Sequence, residues 1–339
     1  MSAARVGTVQ DPESLRAALL ELGFDRVGFA PVGQQPDFAR FEAWLADGCA
    51  AGMDYLSRGA EARRDPARLL PGARSVIMVS VSYHAPPAGG DRGGEAAGPA
   101  AGSAAPAGAE ETAPAGFGRV SRYARGRDYH RVLKARLREA GRLLAERHGA
   151  RATRICVDTA PLLERSLAAR AGLGWIGKNT CLVDPELGSW TFLGGLITDL
   201  DLPPDAPQPD GCGDCRACLD ACPTGALVAP GRLDARRCLS YLTIEHRGPI
   251  PPEPAARLGD RVFGCDRCQE VCPFNAVARA TRREDFRPRP GQSLLELAPL
   301  LDLDRAGLVA RFAGTPLMRA GEAGLARNAR AVLDSQRRR

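Results

Sequence analysis

An α/β layer domain, a ferredoxin-like cysteine-rich domain and a short all-α tail are the fold class predicted by this 339-residue sequence. Three observations carry the prediction. Strand-like and helix-like apolar patterns alternate from Asp11 to Thr198, as they do where helices cover a sheet. Eight of the eleven cysteines fall between Cys212 and Cys272. Beyond Pro290 the apolar residues recur at helical spacing. The chain therefore divides into residues 1–200, 201–285 and 286–339.

The elements follow in order. Asp11-Pro-Glu-Ser-Leu is a helix start, with Asp11 as N-cap and Pro12 at the first helical position. Leu15, Leu19 and Leu22 continue its apolar stripe to Gly23. Phe24 to Ala30 reads as a strand, and Pro36 to Asp47 as a helix whose Phe38, Phe41, Trp44 and Leu45 belong to the core. Ser75 to Tyr83 is a buried strand by its length and β-branching. Residues 85–116 are dominated by alanine, glycine and proline, and are expected to be a disordered insertion, because such a composition buries too little apolar area to offset ordering entropy. A long helix then runs through Leu133, Leu137, Leu143 and Leu144. Thr153 to Val157 is a short strand, Leu162, Leu163, Leu167 and Ala171 form the next helix face, and Cys181–Val183 with Trp190–Thr198 reads as a hairpin-like pair. Ser293–Leu303, Asp304–Phe312 and Ala320–Leu333 make the tail.

The cysteines carry the clearest chemistry. Cys212-Gly-Asp-Cys215-Arg-Ala-Cys218-Leu-Asp-Ala-Cys222-Pro has the bacterial ferredoxin spacing. Cys265-Asp-Arg-Cys268-Gln-Glu-Val-Cys272-Pro repeats it without its first cysteine, since position 262 is Val262. Cys238 is the replacement at hand. The last cysteine of each such run ligates the other cluster, so one [4Fe–4S] cluster takes Cys212, Cys215, Cys218 and Cys272. The other takes Cys222, Cys238, Cys265 and Cys268. Zinc is the competing reading of paired CxxC motifs, and the triple spacing ending twice in Cys-Pro favours iron–sulfur. Cys49, Cys156 and Cys181 are read as ordinary buried thiols.

Composition sets the limits. No segment near Met1 has the apolar core of a signal peptide, and no run approaches eighteen apolar residues, so a cytoplasmic, reducing location without membrane contact is expected. A net charge of +6 permits a polyanionic partner without demanding one. No Gly-x-Gly-x-x-Gly follows a strand and no Walker A motif occurs, which leaves nucleotide and nicotinamide readings unsupported. Asp158, at the end of a strand and the mouth of a helix, suits either a helix N-cap or a site residue. The turn Gly172–Asn179 suits either a plain loop or an anion or cofactor contact through Lys178.

Several blocks together resemble the epoxyqueuosine reductase family. They are Arg64-Asp-Pro66, Arg122-Tyr-Ala-Arg-Gly-Arg-Asp-Tyr-His130, Asp158-Thr-Ala-Pro-Leu-Leu-Glu-Arg165 and Ala171-Gly-Leu-Gly-Trp-Ile-Gly-Lys-Asn-Thr180. The Cys212 run, Cys238-Leu-Ser-Tyr-Leu-Thr-Ile-Glu-His246 and Gly264-Cys-Asp-Arg-Cys-Gln-Glu-Val-Cys-Pro-Phe-Asn275 complete the set. The resemblance implies two [4Fe–4S] clusters, cobalamin, and reduction of epoxyqueuosine to queuosine at the wobble position of tRNA. It implies Asp158 as the proton donor, expected to be desolvated with a raised pKa. Arg64, Tyr123, Asp158, Lys178, Ser240, Asp266 and Gln269 are implied neighbours of the corrinoid, and His246 of the tRNA. A flavodoxin or ferredoxin would supply electrons to a monomeric enzyme. Gly314-Thr-Pro-Leu-Met-Arg319 and Leu325-Ala-Arg-Asn-Ala329 resemble the start of the HEAT-like helices of longer relatives. A corrinoid reductive dehalogenase and a non-catalytic electron-transfer module are the alternatives.

Overall fold

The computed structural model describes residues 11–85 and 112–338. Its first half is built on a four-stranded sheet in the order Arg26–Pro31, Ser75–Ser82, Thr191–Thr198, Thr153–Cys156, with every neighbouring pair antiparallel. The Ser75–Ser82 strand is buried along its whole length, because its alternating side chains feed two different cores. Ile77, Val79 and Val81 join Leu15, Leu19, Leu133, Leu137 and Leu144 on one face. Val76 and Met78 join Leu167, Ala168 and Ala171 on the other. Helices Pro12–Glu21 and Tyr129–His148 supply the first set, and Glu164–Arg170 the second. Asp11 caps the first helix as its sequence indicates, its carboxylate accepting from the Ser14 N–H at 3.0 Å. Gly28 is required where its strand meets the end of Glu164–Arg170, since a Cβ there would lie 1.9 Å from the Ala171 carbonyl oxygen.

A second core lies around a three-stranded sheet, ordered Arg261–Phe263, Phe117–Val120, Leu294–Glu296. It gathers Val120 and Ala124, Leu239, Leu242, Val262 and Phe263 from the cysteine-rich stretch, and Leu308, Phe312, Leu325 and Val332 from the C-terminal helices. The helix Gly321–Arg337 is fastened by polar contacts as well. Asn328, fully buried, donates to the carbonyls of Thr243 (2.8 Å) and Val262 (2.9 Å), and Arg327 donates to those of Leu242, His246 and Gly248.

Four expectations are corrected. The hairpin does not form: Leu182–Val183 pairs with Trp175–Ile176, while Thr191–Thr198 lies between two other strands. An eight-residue apolar strand is best satisfied in the centre of the sheet, where both of its edges are hydrogen-bonded. The tail is not all-α, because Leu294–Glu296 adds an edge strand to Phe117–Val120. Of the aromatic set on Phe38–Ala46 only Phe38 is buried; Phe41 and Trp44 are half-buried, with the Trp44 indole donating to the Leu233 carbonyl at 2.6 Å. Most of the expected insertion lies outside the described residues, but 112–116 are held. The Ala113 N–H donates to the Asp260 carboxylate at 2.8 Å, the Gly116 N–H to Gln336 at 3.0 Å, and the Gly116 carbonyl accepts from Leu297. Backbone hydrogen bonds order this short stretch without any contribution from large side chains.

Candidate active site

Asp158 follows the edge strand Thr153–Cys156, and its backbone is left-handed, with φ of +52°. That conformation is uncommon outside glycine, and aspartate is among the few residues that adopt it. Asp158 is not a helix cap: the next helix begins at Glu164, and its N-cap is Leu163. The Asp158 carboxylate faces His130 instead, with His130 Nε2 at 3.0 Å from Oδ2. His130 stands in the first turn of Tyr129–His148. The N-cap of that helix, Asp128, accepts from the His130 N–H at 3.0 Å and from His130 Nδ1 at 2.8 Å. One aspartate thus starts the helix and fixes the ring, and the second nitrogen of the ring is aimed at Asp158. The Tyr129 hydroxyl also reaches Asp158, and its ring stacks on Phe192 at 4.4 Å.

The electrostatics run opposite to expectation at Asp158. Partial burial pushes its carboxyl up, but the hydrogen bond and charge of His130, with Tyr129 and Arg319, outweigh this and hold it below the ordinary 3.8. The proton resides on the imidazole. Burial alone would lower His130, yet Asp128 and Asp158 raise it from 6.5 to about 9. Glu164, beneath the loop, is pushed up to about 7 by burial and by the Asp158 charge, and its Oε1 accepts the Asp158 N–H at 2.7 Å. The site is therefore an imidazolium–carboxylate pair over a second, more buried carboxyl group, and 55% of the Asp158 side chain is open to solvent.

The remaining wall joins the two cores. Tyr123 lies between Tyr129 and Phe263, and burial and the negative charges of Asp158 and Asp266 keep its hydroxyl protonated. Asp266 is buried and accepts the Arg122 N–H at 2.7 Å. Gln269 accepts from Ser189 at 3.0 Å. Glu245 and Arg319 form a two-pronged ion pair at 2.9 and 2.8 Å, with the Arg319 guanidinium over the Tyr55 ring.

Other residues from the sequence reading have partners of their own. Arg64 pairs with Glu42 and Glu61 and covers the Phe38 ring. Lys178 donates to the carbonyls of Gly213 (2.6 Å) and Cys215 (2.9 Å), and Asn179 beside it to the Cys268 carbonyl at 3.3 Å. The glycine-rich turn thus grips both cysteine runs through consecutive side chains. The Ser240 and Tyr241 N–H groups point at the Cys238 sulfur. The His246 ring meets the Pro249 carbonyl at 2.9 Å. His130, Glu164, Glu245 and Arg319 were not singled out from the sequence. His130 closes the block Arg122–His130 without a partner in view, since the aspartate it faces is 28 positions away.

The cysteines sort into two neighbourhoods. Cys222, Cys238, Cys265 and Cys268 line one pocket together with Thr224, Leu239 and Arg267. Burial and the nearby thiols of Cys272, Cys212 and Cys215 push Cys218 up to about 11, so these four lie within electrostatic reach of one another. Cys181 is half-buried rather than fully enclosed, and lies near Cys268 and Cys238. Thiols raised by burial and by one another need a positive centre to become thiolate ligands. Among the described residues no three His, Cys, Asp or Glu side chains converge on a single-ion site.

Known proteins resemble this chain along most of its length. Residues 211–275 match a family model described as a 4Fe-4S double cluster binding domain, and residues 63–159 one described as epoxyqueuosine reductase QueG, DUF1730. An epoxyqueuosine reductase of Xanthomonas campestris is 40% identical over 314 residues, covering 93% of this chain and 84% of the relative. A crystal structure of epoxyqueuosine reductase with an epoxyqueuosine-modified tRNA-Tyr stem loop superposes with a TM-score of 0.83 at 32% identity, covering 95% of this chain and 80% of that one. An epoxyqueuosine reductase of Bacillus subtilis, captured with an aspartate-bearing catalytic loop swung out of its active site, gives 0.80 at 31% identity, covering 95% and 81%. With that identity sustained over nearly its whole length, the chain belongs to the epoxyqueuosine reductase family.

Proposed function

We infer that this protein reduces epoxyqueuosine to queuosine in tRNA, using two [4Fe–4S] clusters in residues 211–275. Two electrons and two protons convert the epoxide to an alkene and water. The observation that carries the site assignment is the position of Tyr123, whose ring lies 6.5 Å from that of Tyr129, beside His130, and 6.2 Å from that of Phe263, two residues before Cys265. It joins the proton-bearing pair to the wall that holds the cluster cysteines. Asp266 directly follows Cys265, one of the residues we assign to the cluster held with Cys222, Cys238 and Cys268.

In our reading Cys212, Cys215, Cys218 and Cys272 hold one cluster and Cys222, Cys238, Cys265 and Cys268 the other. The pocket lined by the second set and the mutual proximity of the first support this division. We place cobalamin against Tyr123, Asp158, Asp266 and Gln269, as the family resemblance implies. These residues fit such a group: a polar and aromatic wall suits an amide-fringed macrocycle, and an acid more than half open to solvent leaves room for one to cover it. When bound, cobalamin supplies a strongly reducing centre at the substrate. Arg64, Lys178 and Ser240 are the further corrinoid neighbours that the resemblance implies, and each also has a protein partner: Glu42 for Arg64, the Gly213 and Cys215 carbonyls for Lys178, and the Cys238 sulfur for Ser240.

The chain's own residues would manage the protons. Asp128 orients His130, and His130 holds a proton against Asp158. Covering the pair removes water that stabilises separated charges, which favours transfer of that proton to Asp158. The neutral carboxyl then donates to the departing epoxide oxygen. We divide the chain into an α/β part to residue 200, which carries these residues, a cluster part to 285 and a C-terminal part. The C-terminal helices would begin a HEAT-like surface for tRNA, with His246 at its edge. We further propose a monomeric cytoplasmic enzyme supplied by a flavodoxin or ferredoxin; among the described residues no helix is long and apolar enough to cross a membrane.

The test is an anaerobic assay on tRNA carrying epoxyqueuosine, with clusters reconstituted and a strong reductant present. Conversion to queuosine that depends on added cobalamin is expected. Full conversion without cobalamin would remove the corrinoid from the account, and no conversion with all components loaded would remove the activity.

A further inference from the structure

The Asp158 loop is held at two points that differ in kind. One is the side-chain contact with His130 at 3.0 Å. The other is a backbone contact: the Asp158 N–H donates to Glu164 Oε1 at 2.7 Å. Glu164 opens the helix Glu164–Arg170, which is anchored in the core through Leu167 and Ala168, both fully buried. Between the two residues the chain runs Thr159-Ala-Pro161-Leu-Leu, with Thr159 and Leu162 closing tight turns onto Val157 and Ala160. Asp158 itself is in the left-handed region, the least favourable part of the loop for a residue with a Cβ. Left to itself, such a residue relaxes toward φ below zero, which redirects the carboxylate. The Glu164 carboxylate opposes this relaxation by accepting the N–H in the strained geometry. It comes from a rigid helix end six residues ahead in sequence, so the contact closes the loop on itself.

We propose that Glu164 is a positioning residue, a latch that holds the Asp158 backbone in the strained conformation aiming its carboxylate along His130 and into the site. The proposal deepens the assignment of Asp158 as proton donor and rests on that reading for its catalytic consequence. The latch itself stands on the backbone geometry alone. Glu164 touches no substrate atom in this account. Its chemistry is that of a half-buried acceptor, and an amide oxygen at the same place can accept the same N–H. A proton reservoir would behave differently, because an amide cannot store a proton.

The experiment compares Glu164→Gln and Glu164→Ala in the full chain with both clusters reconstituted. Amide hydrogen exchange of a peptide spanning Asp158 reads the latch without reference to turnover. Exchange at Asp158 should speed up on the order of 10- to 100-fold in Glu164→Ala, the weight of one hydrogen bond to a charged group, and stay within about threefold of wild type in Glu164→Gln. Single-turnover reduction should fall by a similar factor in Glu164→Ala and recover most of that loss in Glu164→Gln, with KM for tRNA and the cluster EPR signals unmoved. Unchanged exchange in Glu164→Ala overturns the latch. Equal loss of rate in both variants with the exchange of Glu164→Gln protected overturns it in favour of proton storage. Faster exchange with undiminished turnover would retain the latch while removing Asp158 as the acid, so the two readings fail separately. If Glu164→Ala does not fold, Glu164→Thr, too short to reach the N–H, serves in its place.

Discussion

His130 is where the chemistry at the residue scale departs furthest from what the sequence alone suggests. A carboxylic acid acting as proton donor calls for a raised pKa, and the raised group turns out to be the histidine, at about 9. The sequence held both partners but not their contact, because the ring faces an aspartate brought up by the edge of a sheet formed from distant segments. A measurable pH dependence follows. His130 binds its proton more tightly folded than unfolded, so the resulting stabilisation is full below about 6.5 and disappears as pH rises through about 9. The single-turnover rate should decline over the same upper range as the transferable proton is lost. His130→Gln should be slower by roughly 10- to 100-fold at neutral pH and lack that alkaline limb. A pH–rate profile of wild type and variant, with cobalamin and clusters loaded, checks both; an alkaline limb that persists in His130→Gln would assign the titration to another group.

Among the elements, the cysteine runs were legible almost entirely from spacing, because a cubane dictates the distances between its ligands along the chain. The carbonyl contacts of the glycine-rich turn were not. Lys178 and Asn179 grip carbonyls of Gly213, Cys215 and Cys268, contacts to backbone that leave no trace in residue type. Removing the Lys178 ammonium leaves two carbonyls of the first run to water, at a cost of about 0.5–1.5 kcal/mol. Lys178→Met should therefore bind the first cluster less firmly and lose it preferentially on dilution, with iron falling from about eight toward about four per chain. Loss of both clusters together would show that the turn supports the whole fold and not one loop. Cys238→Ser should likewise retain one intact cluster by EPR; retention of both would break the ligand division proposed above. Element boundaries in the first half were readable from apolar period, but strand partners were not. The placement of Thr191–Thr198 between Ser75–Ser82 and Thr153–Cys156 depends on pairings that no local pattern encodes.

For the whole molecule, the two cores are tied together by segments that cross between them. Phe117–Val120 comes early in the chain and forms the centre of the later sheet, which composition could not reveal. Its entry is pinned by Ala113 to the buried Asp260 and by Gly116 to Gln336. A linker replacing residues 86–111 should leave stability close to wild type, whereas one replacing 85–116 should cost about 1–3 kcal/mol by stripping partners from Asp260 and Gln336. Denaturant unfolding separates the two, and equal stability would mean these contacts contribute nothing. In our proposal Asp158, given its proton by His130, delivers that proton to the epoxide oxygen. Asn can occupy the left-handed backbone and accept from His130, but has no transferable proton. The direct measurement is single-turnover conversion of epoxyqueuosine-containing tRNA by wild type and Asp158→Asn, with cobalamin and both clusters confirmed in each. A loss on the order of 10²–10⁴ in rate for the variant is predicted, and turnover within a few-fold of wild type would contradict the account.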